Sequence, residues 1–98
     1  MAKRILKHHL ALTGGQAQPL ALRQGARVVH VGNQHEHVTL WFEADDDAPA
    51  EHRLFYVVGT GHDVPSNSEH RGTALMLGGQ FVWHVYEVRP APAEVLSN

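Results

Sequence analysis

Between positions 37 and 43 hydrophobic and polar side chains alternate, with Trp41 the one apolar residue in the polar set. Val38, Leu40 and Phe42 fall on one face, and His35, His37, Thr39 and Trp41 on the other. A period of two marks a strand with one face in a core. Residues 27–31 are also rich in β-branched side chains. Gly32-Asn33-Gln34 tolerates positive φ, so residues 27–31 and 36–43 are expected to form a β-hairpin around it. Leu54-Phe55-Tyr56-Val57-Val58 is apolar on both faces, which predicts a central strand over residues 53–59. Further strands are expected over residues 5–12, 72–77 and 81–89. A short edge strand is expected at 19–22, where Pro19 is tolerated. Thr13-Gly14-Gly15-Gln16, the acidic residues 44–50 and the Pro- and Ser-containing residues 61–69 read as connections. Nothing in the pattern requires a helix.

Short strands separated by turn signals every 8–12 residues predict an all-β fold. The expected form is a small antiparallel sandwich or partly open barrel of about six to seven strands. The 98 residues suit one domain, expected over positions 1–90, with 91–98 as a flexible tail after Pro90 and Pro92. A chain of this size buries only about 60–65% of its unfolded surface, so a homo-oligomer is expected. The chain has no cysteine, which excludes disulfides, thiolate zinc sites and a cysteine nucleophile and suits the cytoplasm. No apolar run approaches the roughly 20 residues of a membrane helix, and Lys7, His8 and His9 interrupt any leader-like segment. A net charge of −2 argues against binding nucleic acid through overall charge. The nine histidines would carry the chain to positive charge in mild acid.

Three regions bear on motifs. Gly59-Thr60-Gly61-His62 closes the central strand. Arg71-Gly72-Thr73 follows. Gly78-Gly79-Gln80 then opens Phe81-Val82-Trp83-His84-Val85-Tyr86-Glu87. Together with Gly25-Ala26-Arg27-Val28-Val29-His30-Val31, these runs resemble a family of small phage proteins of unknown function. Members of that family share a YGTGH … GT … GG-x-VWHVFE pattern. The chain departs from it at His35-Glu36-His37, where the family is apolar or neutral, and at Val57, where isoleucine is common. The resemblance implies a phage-encoded accessory protein acting in the cytoplasm of an infected bacterial cell. It implies no activity and transfers no catalytic residue.

Candidate chemistry is sparse. Gly59, Thr60, Gly61, His62 and His84 are the candidate ligand-binding residues, because glycine backbone at a sheet end permits close approach of a ligand. The competing role is structural, with His62 holding a loop and His84 hydrogen-bonded within its strand. Gly59-Thr60-Gly61 is not a dinucleotide fingerprint, since no helix follows and the third glycine is missing. A phosphate nest of loop amides is compatible with it. His35 and His37 on one strand face, with His30 across the hairpin, have the residue types for zinc or nickel; solvent-facing strand histidines are the plainer account. Ser66 and Ser68, near Asp63, Glu69 and His70, lack the flanking glycines of a nucleophile elbow. Asp45-Asp46-Asp47 lacks the glycine and terminal glutamate of a calcium loop. Lys3, Arg4 and Lys7 form a basic strip suited to an acidic partner, and Trp41 and Trp83 are candidate partner contacts. No catalytic residue and no cofactor are expected. The expected function is therefore a non-enzymatic binding protein that counteracts a host process. It would bind a host protein or sequester a small anionic, nucleotide-like ligand. The alternatives are a histidine-based metal protein or small hydrolase, and a structural virion component.

Overall fold

A computed structural model describes residues 2–88. The expected tail, 91–98, lies outside the described residues. The described residues form seven strands: β1 (Lys3–Leu10), β2 (Gln18–Arg23), β3 (Arg27–Gln34), β4 (His37–Asp45), β5 (Ala50–Gly59), β6 (Ser68–Met76) and β7 (Phe81–Val88). A single 3₁₀ turn, Leu77–Gly79, joins β6 to β7. No helix among the described residues is long and apolar enough to cross a membrane.

The expected all-β, antiparallel architecture is present as two sheets. One has the order β1-β4-β3 and the other β2-β5-β7-β6. Every pairing is antiparallel. The doubly apolar β5 is interior, between β2 and β7, and β2 with Pro19 is an edge. The core lies between the sheets. Val38, Leu40, Phe42 and Ala44 of β4 meet Leu22, Phe55, Val57, Ala74 and Val85 of the second sheet. Alternation on β4 thus sorts its side chains as expected, with His37, Thr39 and Trp41 on the outer face.

The β3–β4 hairpin turns two residues later than the sequence suggests. β3 extends through Gly32, Asn33 and Gln34, and the turn is His35-Glu36, with φ of 52° and 63°. The Asn33 side chain fixes it by accepting the Glu36 amide N–H (2.8 Å). That local hydrogen bond lets two non-glycine residues take the left-handed conformation a two-residue hairpin demands. β6 also begins earlier than expected, at Ser68, because Ser68 Oγ donates to Pro65 O (2.6 Å) and ends the loop there.

The sandwich closes along one side and gapes along the other. On the closed side β3 crosses β6 so tightly that a Cβ on Gly72 would lie 2.6 Å from the Val31 Cβ. Register shifts between Val28 and His30 and between His70 and Gly72 bend both strands there. On the open side Leu6 points toward the core layer, opposite Phe42, yet is 39% exposed.

Candidate functional site

The five candidate ligand residues separate onto two faces of the β5–β7 ladder. Gly59 is in register with Trp83. A Cβ on Gly59 would lie 3.2 Å from the His62 ring and 3.3 Å from the Trp83 ring. His62 and Trp83 therefore flank one glycine face. The turn that carries His62 back is closed by His62 N–H donating to Gly59 O (3.1 Å). Gly61 holds φ 89° within it, a value that favours glycine at this turn position. A cleft of about 650 Å³ opens here, lined among others by Leu12, Gly14, Gly15, Gly59, His62 and Trp83. Cleft dimensions in this range suit a small ligand.

His84 points away from this cleft, on the face it shares with Thr60. Its Nε2 is 2.9 Å from Thr60 Oγ1 and its Nδ1 is 3.0 Å from Thr73 Oγ1. Thr73 Oγ1 is also 3.1 Å from His70 Nε2. Thr60, His84, Thr73 and His70 thus form a hydrogen-bonded chain across the outer face, with the Tyr86 ring edge-on to His70 at 5.2 Å. A hydroxyl donates one proton and accepts others, so such a chain can conduct a proton or fix a tautomer. The shared pocket expected for His62 and His84 does not form, because strand alternation puts them on opposite faces.

The His30/His35/His37 trio is likewise not assembled. His30 lies across Gly32, where a Cβ would meet its Nε2 at 2.8 Å, and against Trp41 at 5.5 Å between ring centroids. His35 sits in the turn at positive φ, so it does not share the strand face of His37. His37 instead neighbours His9, 4.8 Å between centroids, and His9 Nδ1 is 2.9 Å from Thr39 Oγ1. Among the described residues no three His, Cys, Asp or Glu side chains converge as a metal site. Partial desolvation lowers the His9 pKa below 6.5, and nearby His37, Lys7 and His35 lower it further.

The partner candidates also divide. Lys3, Lys7 and Trp41 share the outer face of the three-stranded sheet, while Trp83 packs against the core of the other sheet. Arg4 forms a salt bridge with Asp46 (2.7 Å).

A family model described as a domain of unknown function, DUF7352, matches residues 1–95. The chain belongs to this family. No curated protein matches the DUF7352 chain. No solved structure matches it.

The DUF7352 chain also holds an ionic cluster that its motifs do not announce. Glu87 is buried between the sheets. Arg53 donates to it from Nε (2.6 Å) and Nη2 (2.9 Å), and Arg71 donates from Nε (2.9 Å). Arg53 Nη1 donates to Ala26 O (2.6 Å), tying the turn between β2 and β3 into the same cluster. Burial pushes the Glu87 carboxyl up, but hydrogen bonds and charge from Arg53 and Arg71 outweigh it and hold the group below 4.5. The available signal was parity: Glu87 continues the core-facing set Phe81, Trp83 and Val85, and Arg53 continues Phe55 and Val57.

Proposed function

We propose that this DUF7352 protein is a small phage-encoded binding protein that sequesters a nucleotide-like anion without catalysing a reaction. The observation that carries this reading is the cleft between the Leu12–Gly15 connection and the Gly59–His62 turn. Trp83 and His62 give it flat ring surface for a base. Gly14 and Gly15, with open space where their side chains would be, let phosphate approach backbone amides. The phage attribution draws on the YGTGH-like and VWHVFE-like runs, which supply Gly59, His62 and Trp83 to the cleft.

The test is thermal unfolding with a panel of linear and cyclic nucleotides, on the wild type and on Trp83→Ala. Ligand at 100 times its Kd adds about 2.7 kcal/mol, which is a rise in Tm of roughly 13 °C for a domain of this size. The rise should disappear in Trp83→Ala. No rise with any nucleotide ends the proposal.

A second reading is a small hydrolase on the opposite face, favoured by the Thr60–His84–Thr73–His70 chain. Hydrolysis of an activated ester that is abolished by His84→Ala would support it. Equal rates in wild type and variant would remove it.

A further inference from the structure

The gaping side of the sandwich lies between two free strand edges, β1 of one sheet and β2 of the other. A groove of about 800 Å³ runs between them, walled by Leu6, Ala21, Leu22, Phe42 and Ala50, with His8 stacked on Phe42. Leu6 stays 39% exposed there, and its neighbour Ile5 on the other face of β1 is 54% exposed. The unpaired N–H and C=O groups of an exposed strand edge are a template for another strand.

The backbone of β1 is poised for such pairing. Asp46 N–H donates to Ala2 O (3.2 Å). Alternation along an antiparallel ladder therefore turns the peptide groups of Arg4, Leu6 and His8 toward β4 and those of Lys3, Ile5, Lys7 and His9 outward. Side chains follow the same parity. Lys3, Ile5 and Lys7 lie on the outer sheet face with Trp41, while Arg4, Leu6 and His8 lie on the inner face, where Leu6 and His8 line the groove.

Charge selects the occupant. β1 reads Lys-Arg-Ile-Leu-Lys-His-His-Leu and contains no acidic residue. Two copies pairing through β1 would gather the lysines and arginine of both strands in one ladder, which opposes self-association. Among the described residues neither Lys3 nor Lys7 forms a salt bridge, and Lys7 donates only to Gln34. We infer that the β1 edge receives an extended acidic segment of a partner protein, added as a further strand. Its residues opposite Lys3 and Lys7 are Asp or Glu. Those opposite Arg4 and Leu6 are apolar, and the one opposite Leu6 fills the groove. Main-chain hydrogen bonds give affinity and the alternate side chains give register. This surface is separate from the cleft at Gly59, and either can function without the other.

A blocked seven-residue peptide with Glu at positions 2 and 6, Val at 3 and 5, Thr at 4 and Ser at both ends tests the inference. Its palindromic pattern satisfies the required register in either strand direction. The expected result is saturable binding by calorimetry, with amide shifts in an NMR titration confined to β1 and the groove. Lys3→Glu/Lys7→Glu, two exposed changes that leave the core intact, should weaken binding at least 10-fold. Ile5→Pro removes an outward N–H but no β4 hydrogen bond and should abolish binding with little loss of Tm. Replacing both peptide glutamates with lysine should abolish it as well. The inference is overturned by no binding of the acidic peptide to the wild type. Equal binding of the lysine peptide or unchanged affinity in the double variant would also overturn it, as would sedimentation showing a dimer that Ile5→Pro dissociates.

Discussion

Arg53 and Glu87 meet in the interior through two parallel hydrogen bonds, Nε to Oε2 at 2.6 Å and Nη2 to Oε1 at 2.9 Å. β5 and β7 bring them together, and Arg53 reaches on to the turn before β3 through Ala26 O. Removing one member of a buried ion pair strands the other's charge, at a cost of about 3–5 kcal/mol. Glu87→Gln should therefore cost about 3 kcal/mol, the low end because Arg71 is partly solvated. Urea unfolding of wild type and variant at neutral pH measures it, and a difference below about 1 kcal/mol would show the pair to be a passive contact.

The same carboxylate sets an acid limit. Its native pKa is depressed below 4.5, so the unfolded chain binds the proton more readily. The stabilisation is complete above 4.5 and is lost as pH falls through the native value. The urea midpoint of the wild type should fall below pH 4.5, and the gap between wild type and Glu87→Gln should narrow in parallel. A gap that stays constant from pH 7 to pH 3 would contradict this.

His9 acts at milder pH. Its native pKa lies below 6.5, first because of desolvation and then because His37, Lys7 and His35 surround it. Folding favours the neutral ring, so its contribution is complete above 6.5 and declines as pH falls through the native value. His9→Gln should flatten the dependence of Tm on pH between 7 and 5. NMR titration should place the wild-type His9 midpoint below that of the unfolded chain.

Gly72 is fixed by contact. A Cβ there would lie 2.6 Å from Val31 Cβ and 2.9 Å from its Cγ2. Gly72→Ala must push β3 away from β6, and overpacking of this kind costs about 1–3 kcal/mol. Val31→Ala in the same chain should recover part of the loss, because it removes the Cγ2 contact. A double-mutant cycle with zero coupling would show that the two strands separate freely.

The His35-Glu36 turn can be improved. Both residues hold positive φ, and asparagine tolerates that conformation at the first turn position better than histidine. His35→Asn should raise stability by about 0.5–1 kcal/mol, read as a higher Tm. A lower Tm would mean that the His35 ring makes a contact worth more than the backbone preference.

Side-chain parity made much of this molecule readable in the sequence. Val38, Leu40 and Phe42 placed the β4 face, Pro19 placed an edge, and the apolar run around Tyr56 placed the centre of the larger sheet. The turn at His35-Glu36 escaped because glycine normally marks positive φ, whereas here Asn33 holds it through a side-chain hydrogen bond. The split of His62 from His84 escaped for a different reason. Both lie in adjacent motif runs, but the turn folds His62 back over Gly59, and alternation sends His84 the other way. The Arg53–Glu87–Arg71 cluster depended on a bulge between His70 and Gly72, which turns Arg71 toward Glu87 and leaves no local sequence mark.

The strand order has a kinetic consequence. β3–β4 and β6–β7 are local hairpins, whereas β1 pairs with β4, β2 with β5, and β5 with β7 across long stretches of chain. Non-local pairing of this kind places folding on the millisecond-to-second scale. β1 leaves the ribosome before β4 and cannot dock until β4 has emerged. Its lysines and arginine, set around Ile5 and Leu6, then serve as gatekeepers, keeping the waiting segment soluble until its partner strand arrives.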